Sequence, residues 1–171
     1  MSMPVDINLL GPWKFKTGDD LKRKDPGYDD LNWNEIFVPA KWEDQGYRDY
    51  DGYAWYRKTF IFKENPIDNK MVLLMGKIDD IDQVYLNGVL VGSTGNFPSI
   101  NNSHASVTGA EYSAFRGYYL PDGLLKKNQK NIIAVRVLDI GGAGGIYEGP
   151  VGLITQTKYI EYWRNNKNLN R

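Results

Sequence analysis

At 171 residues the chain has the length of one ordinary domain, 1–171, and can bury about 70% of the surface that its unfolded form exposes. Lysine plus arginine number 21 and aspartate plus glutamate number 21, so no net field draws it to nucleic acid or to an anionic membrane. The absence of cysteine excludes disulfides, thiolate metal sites and cysteine nucleophiles, and leaves the redox compartment open.

Residues 1–10 lack the basic segment and apolar stretch of a signal peptide, and no apolar run approaches the roughly 18 residues that span a bilayer. No membrane partner is expected; a periplasmic or extracellular location is favoured. The 18 glycines and 8 prolines break the chain at short intervals and leave little room for long helices. Residues 19–24 read as a helical turn. Short β-rich runs follow at 35–38, 53–62, 70–75, 83–86, 89–91 and 117–120; a second helical turn is read at 122–127, and further strands at 132–138 and 151–157. Eight such strands predict an all-β sandwich or jelly roll with the helical turns as caps. Between two of them stands Asn87-Gly88, the pair that accepts the positive φ angles of a type I′ turn, so 83–91 is predicted to be a hairpin. The polar stretch 96–113 has no periodicity and reads as a mobile loop or insertion.

The lone histidine, His104, follows Ser103 in that stretch. Neighbours in an extended loop point apart, and no G-x-S-x-G elbow exposes the serine, so a catalytic pair is disfavoured. Gly141-Gly142-Ala143-Gly144-Gly145 follows a strand, but Tyr147 stands where a phosphate-binding fingerprint needs glycine and Pro150 where it needs helix. Unusual backbone angles or close approach by a neighbour explain these glycines better. Asp79, Asp80 and Asp82 are either a turn that bonds its own amides or ligands of a structural calcium ion. Asp139 and Glu148 bracket the glycine loop, and a glycosidase would need two such carboxyls about 5 to 10 Å apart.

The richest segment is 42–56, where Trp42, Tyr47, Tyr50, Tyr53, Trp55 and Tyr56 alternate with Glu43, Asp44, Gln45, Arg48, Asp49 and Asp51. A pyranose packs its C–H face on an aromatic ring and needs planar amide, carboxylate or guanidinium partners for its hydroxyls, which is this mixture. Trp55, mid-strand, is a core residue rather than a platform.

Five motifs occur in order: Trp42-Glu43-x-Gln45-Gly46-Tyr47; Asp51-Gly52-x-Ala54-Trp55-Tyr56-Arg57-Lys58-x-Phe60; Asp79-Asp80-x-Asp82-x-Val84-Tyr85-Leu86-Asn87-Gly88-x-x-Val91-Gly92; Asn131-x-Ile133-Ala134-Val135-Arg136-Val137; and Gly144-Gly145-Ile146-Tyr147. Together, over about 33–153, the chain resembles the sugar-binding jelly-roll domain of family 2 glycoside hydrolases, the β-galactosidases and β-glucuronidases, and the related β-domain of sialate O-acetylesterases. The resemblance implies a galactose-binding-domain-like sandwich set beside a hydrolase catalytic domain, and a galactoside- or glucuronide-like glycan as partner. The catalytic glutamates of those enzymes lie in a separate barrel and have no positions here, so the resemblance implies a non-catalytic accessory module. It places Asp139 at the neighbouring active site and brings the loop 45–51 to the same end. The expected sugar site therefore comprises Trp42, Gln45, Tyr47, Asp51, Arg57, Arg116, Asp139, Tyr147 and Glu148. The rival expectations are a stand-alone glycosidase or esterase using Asp139 and Glu148 or Ser103 and His104, and a structural module that touches only protein.

Overall fold

A computed structural model describes residues 2–63, 70–105 and 108–167. Strands β1 (Ile7–Asn8), β2 (Gly11–Thr17), β3 (Asn34–Val38), β4 (Gly52–Ile61), β5 (Met71–Asp79), β6 (Ile81–Leu86), β7 (Val89–Thr94), β8 (Arg116–Tyr119), β9 (Lys130–Asp139) and β10 (Gly145–Thr155) precede one helix, α1 (Gln156–Asn166). They form two sheets with antiparallel pairing throughout, one ordered β1-β10-β5-β8 and the other β3-β2-β4-β9-β6-β7. This is the all-β sandwich that the strand pattern predicts.

The period-two rule for strands explains which residues fill it. In β2, Trp13 and Phe15 turn inward while Lys14 and Lys16 do not, and in β3 Ile36 and Val38 are buried while Glu35 and Phe37 are exposed. The shared core adds Tyr56, Leu73, Met75, Val84, Val135 and Leu153 from both sheets. Strand β5 is apolar on consecutive positions because it is covered twice. Leu73 and Met75 face the other sheet, while Val72 and Leu74 pack outward in a cluster with Ile154, Phe115 and Tyr159 of α1. The outer face of the second sheet carries Trp55, Tyr85, Ala134 and Trp33, with Tyr28 packed against them.

Several boundaries differ from the sequence reading. Strands β1 and β2 are additional. The last strand is β10, starting at Gly145 rather than 151, and it stops at Thr155, whose hydroxyl caps α1 by accepting from the Lys158 amide at 3.3 Å. The glycine run thus shortens to a tight connection between β9 and β10. The turn at 19–24 is a single 3-10 turn, Leu21–Lys24, capped by Asp20. Residues 122–127 form turns without a helix. Within the polar stretch, 106 and 107 lie outside the described residues, and Glu111–Ser113 forms one more 3-10 turn. The hairpin is as expected: Asn87 has φ 50° and Gly88 φ 83°, joining β6 to β7.

Candidate functional site

The sheets approach each other at one corner. Strand β5 ends at Asp79 in the first sheet, and after Asp80 alone the chain begins β6 at Ile81 in the second. Asp139 ends β9 opposite Gly52, which opens β4, and Gly145 opens β10 opposite Asp79. Five strand ends therefore converge, and two of them, Asp79 and Asp139, are carboxylates, with Asp80 between β5 and β6. Oxygens of Asp79, Asp80 and Asp139 all lie within 4.8 Å of one another.

Backbone amides hold two of these groups. The Ile140 N–H donates to Asp80 Oδ2 at 2.9 Å and the Gly141 N–H to Asp139 Oδ1 at 3.0 Å. Asp139 is 1% exposed, yet its Oδ2 has no hydrogen-bond partner. Beside the cluster, Glu43 Oε2 accepts from the Gly144 amide at 3.0 Å, while its buried Oε1 is also unpartnered. Burial pushes the Asp139 carboxyl up to about 8; the Gly141 amide opposes this, and the charges of Asp80, Asp51 and Asp79 reinforce it. Asp79 is likewise pushed up to about 8, first by burial, then by its hydrogen bond to Asp80 and the charges of Asp80 and Glu43, with Arg116 opposing. Burial and the neighbouring carboxylates thus favour the neutral form of both groups relative to a surface aspartate.

Of the nine residues expected in a sugar site, the structure brings Asp139, Asp51 and Tyr147 to this corner. Asp51 is exposed and its charge acts on Asp139. Tyr147 is partly buried, feels the charge of Asp79, and donates its hydroxyl to the carbonyl of Tyr112. Glu148 stands further along β10, exposed and paired with Lys77 at 2.9 Å.

The other five are built into the scaffold. Trp42 is fully buried, its Nε1 donates to the Tyr50 carbonyl at 3.2 Å, and a Cβ on Gly144 would lie 2.3 Å from its ring. That contact gives the reason for glycine at 144, the close approach expected of this run. Gln45 bonds both the amide and the carbonyl of Phe37, at 2.6 and 3.0 Å, clamping its turn to β3. Tyr47 packs edge-on against Phe15 with centroids 4.7 Å apart, and its hydroxyl accepts from Asn34 at 3.0 Å. Arg57, mid-strand opposite Ala134, pairs with Asp30 at 2.8 Å and donates to carbonyls of Arg23, Asp25 and Tyr28, so it organises that loop. Arg116 is spent on Asp82 at 2.8 Å and on carbonyls of Glu111, Ala114 and Asp80.

The calcium candidates also change. Asp82 is fully buried, with Oδ1 on Arg116 and Oδ2 accepting from the Tyr118 hydroxyl at 2.7 Å, so it has no oxygen to offer a metal. Asp139 takes its place beside Asp79 and Asp80. Ser103 and His104 are exposed, no hydrogen bond among the described residues joins their side chains, and the His104 amide instead donates to Asn102. Two residues that the sequence reading did not assign to a site belong at this corner: Glu43, inside the first motif, and Tyr112, half exposed beside Tyr147.

The family model of the β-galactosidase second all-beta domain matches residues 18–143, most of the chain. The chain belongs to that family. Two relatives are each 28% identical to it. A β-galactosidase of Bacteroides ovatus is matched over 73% of this chain and 14% of its own length, and a β-glucuronidase of Formosa agariphila over 76% and 13%. The chain thus spans about one-seventh of the curated relatives it matches. Among solved structures, a β-glycosidase from Bacteroides vulgatus is 26% identical with TM-score 0.66, covering 86% of this chain and 20% of that one. A Bacteroides uniformis β-glucuronidase has the same fold, with TM-score 0.64 at 23% identity over 82% of this chain and 16% of that one. The kinship with family 2 glycoside hydrolases that the motifs imply is therefore met, and the chain is a small accessory β domain of that kind. The matched stretch contains Glu43, Asp79, Asp80 and Asp139.

Proposed function

We propose that this domain is a non-catalytic, carbohydrate-binding module of a glycoside hydrolase, whose strand-end corner meets a galactoside- or glucuronide-like glycan beside a hydrolase catalytic domain. Asp139 carries the reading: a buried carboxyl with one unpartnered oxygen, at the end of β9 where Asp51 and Tyr147 also lie. A sugar hydroxyl is the donor this oxygen lacks, and such a bond is worth about 0.5–1.5 kcal/mol, more when a charge takes part. The rings of Tyr147 and half-exposed Tyr112 offer apolar surface for a pyranose C–H face, with Glu148 as a polar rim. The reading assigns the bond-breaking groups to the partner domain and none to this chain. Ser103 and His104, exposed and unjoined, give no support to an esterase.

A single sugar on so shallow a corner binds in the millimolar range, about 4 kcal/mol. The test is a chemical-shift titration with galactose, glucuronate and short oligosaccharides in the presence of a chelator. Perturbations are expected at Asp51, Asp139 to Gly142, and Tyr147. Shifts confined to the opposite end of the sandwich, or wild-type binding by Asp139→Ala, would sink the site. Silence with every sugar would leave a module that contacts only protein.

A further inference from the structure

We propose that Asp79, Asp80 and Asp139, with Glu43 adjoining, form a calcium-binding site at the corner where the chain crosses between the sheets. Three observations support it. Their oxygens lie within 4.8 Å of one another, a span that two Ca–O bonds of about 2.4 Å can bridge. Asp139, 1% exposed, keeps Oδ2 buried without a donor, and Glu43 Oε1 is in the same condition; the charge of Glu43 acts on Asp79. Carboxyl oxygens buried in this way are costly to ionise unless a cation meets them.

Among the described residues, no lysine, arginine or histidine forms an ion pair with Asp79, Asp80, Asp139 or Glu43. Arg116, whose charge is felt at Asp79, has each of its three nitrogens committed to Asp82 or to main-chain carbonyls, and its one hydrogen bond at the corner goes to the carbonyl of Asp80. The amides of Ile140, Gly141 and Gly144 meanwhile hold one oxygen each of Asp80, Asp139 and Glu43, which orients the remaining oxygens as a ligand's outer support does. The donors are all oxygen, with no nitrogen or sulfur, which selects a hard cation. Calcium tolerates the irregular geometry of a corner and completes its six to eight ligands with water, whereas magnesium demands a near-ideal octahedron at shorter distances.

This inference and the sugar reading call on the same oxygen of Asp139, but their tests part: calcium binding with no response to any sugar leaves this one intact. Chelator-stripped protein is titrated with CaCl2 by calorimetry and by thermal melting, against NaCl of matched ionic strength. The expected result is one saturable site with Kd of about 0.1–1 mM and a melting temperature that rises with calcium. Asp139→Asn and Asp79→Asn should each weaken binding at least tenfold, while Glu161→Gln, an exposed position of α1, binds as wild type. Where an asparagine variant fails to fold, terbium luminescence on the wild type, displaced by calcium, gives the answer. No saturable response up to about 10 mM calcium, an equal response to NaCl, or wild-type affinity in both folded asparagine variants would overturn the site.

Discussion

Gly88 sits at φ 83°, and a Cβ there would come 3.1 Å from the Pro26 ring. A β-branched side chain in the left-handed region is strained whatever the space, so Gly88→Val is expected to cost about 1–3 kcal/mol, read as a lower urea midpoint at unchanged slope. An unaltered midpoint would reject the strain argument. Glu111 offers a complementary test by pH. Its carboxylate accepts from the amides of Thr108, Gly109 and Ala110, and these bonds hold its pKa below the ordinary glutamate value. With the folded pKa depressed, the contribution is present above the unfolded pKa and is lost as pH falls through the folded one. An NMR titration of Glu111 should give a midpoint below about 4.3; one at or above it would show that the amide cage does not persist in solution. The Asn-Gly turn was legible in the sequence because it is set by two residues' own backbone preferences. Trp42, Gln45, Arg57 and Arg116 were not, because a polar-laced scaffold and a sugar site draw on the same residue types. Their direction is decided by distant partners: Asp30 for Arg57, Asp82 for Arg116.

Arg116 and Asp82 lie on β8 and β6, in different sheets, so their pair fastens the sandwich from within. Tyr118 extends the link, donating to Asp82 Oδ2 and bonding Thr94 of β7 at 2.7 Å. Arg116→Met leaves Asp82 buried beside its tyrosine with no cation, and burial already pushes that carboxyl upward. A loss of about 3–5 kcal/mol is expected, with Arg116→Met/Asp82→Leu recovering much of it, because the stranded charge rather than the missing attraction dominates the cost. A double-mutant cycle in urea decides this; a single-variant loss under about 1 kcal/mol would contradict it. The apolar central strands β4, β5, β6 and β9 were readable from composition. Strand β2 was missed although Trp13 and Phe15 alternate with Lys14 and Lys16, because Gly11-Pro12 at its start reads as a break. Helix α1 was missed, its first two residues being read as the tail of the strand 151–157, since the apolar run into Thr155 carries no local sign of the turn that its hydroxyl then caps.

At the scale of the whole molecule, the sequence reading set Asp139 in a sugar site and Asp79 and Asp80 in a separate metal site and did not join them, because Asp79 and Asp139 stand 60 positions apart in different sheets and meet only in the folded sandwich. That division has a consequence. A compact state that kept both sheets but let them slide would retain its backbone hydrogen bonds and far-UV dichroism while losing the corner. Terbium bound at the corner should therefore disappear in step with near-UV dichroism as urea is raised, ahead of or together with the far-UV signal; survival past the near-UV transition would contradict the geometry. Asp79 travels with one sheet and Asp139 with the other, so the corner works as a coincidence detector: whatever docks there, ion, sugar or neighbouring domain, engages only a chain whose two layers are already in register.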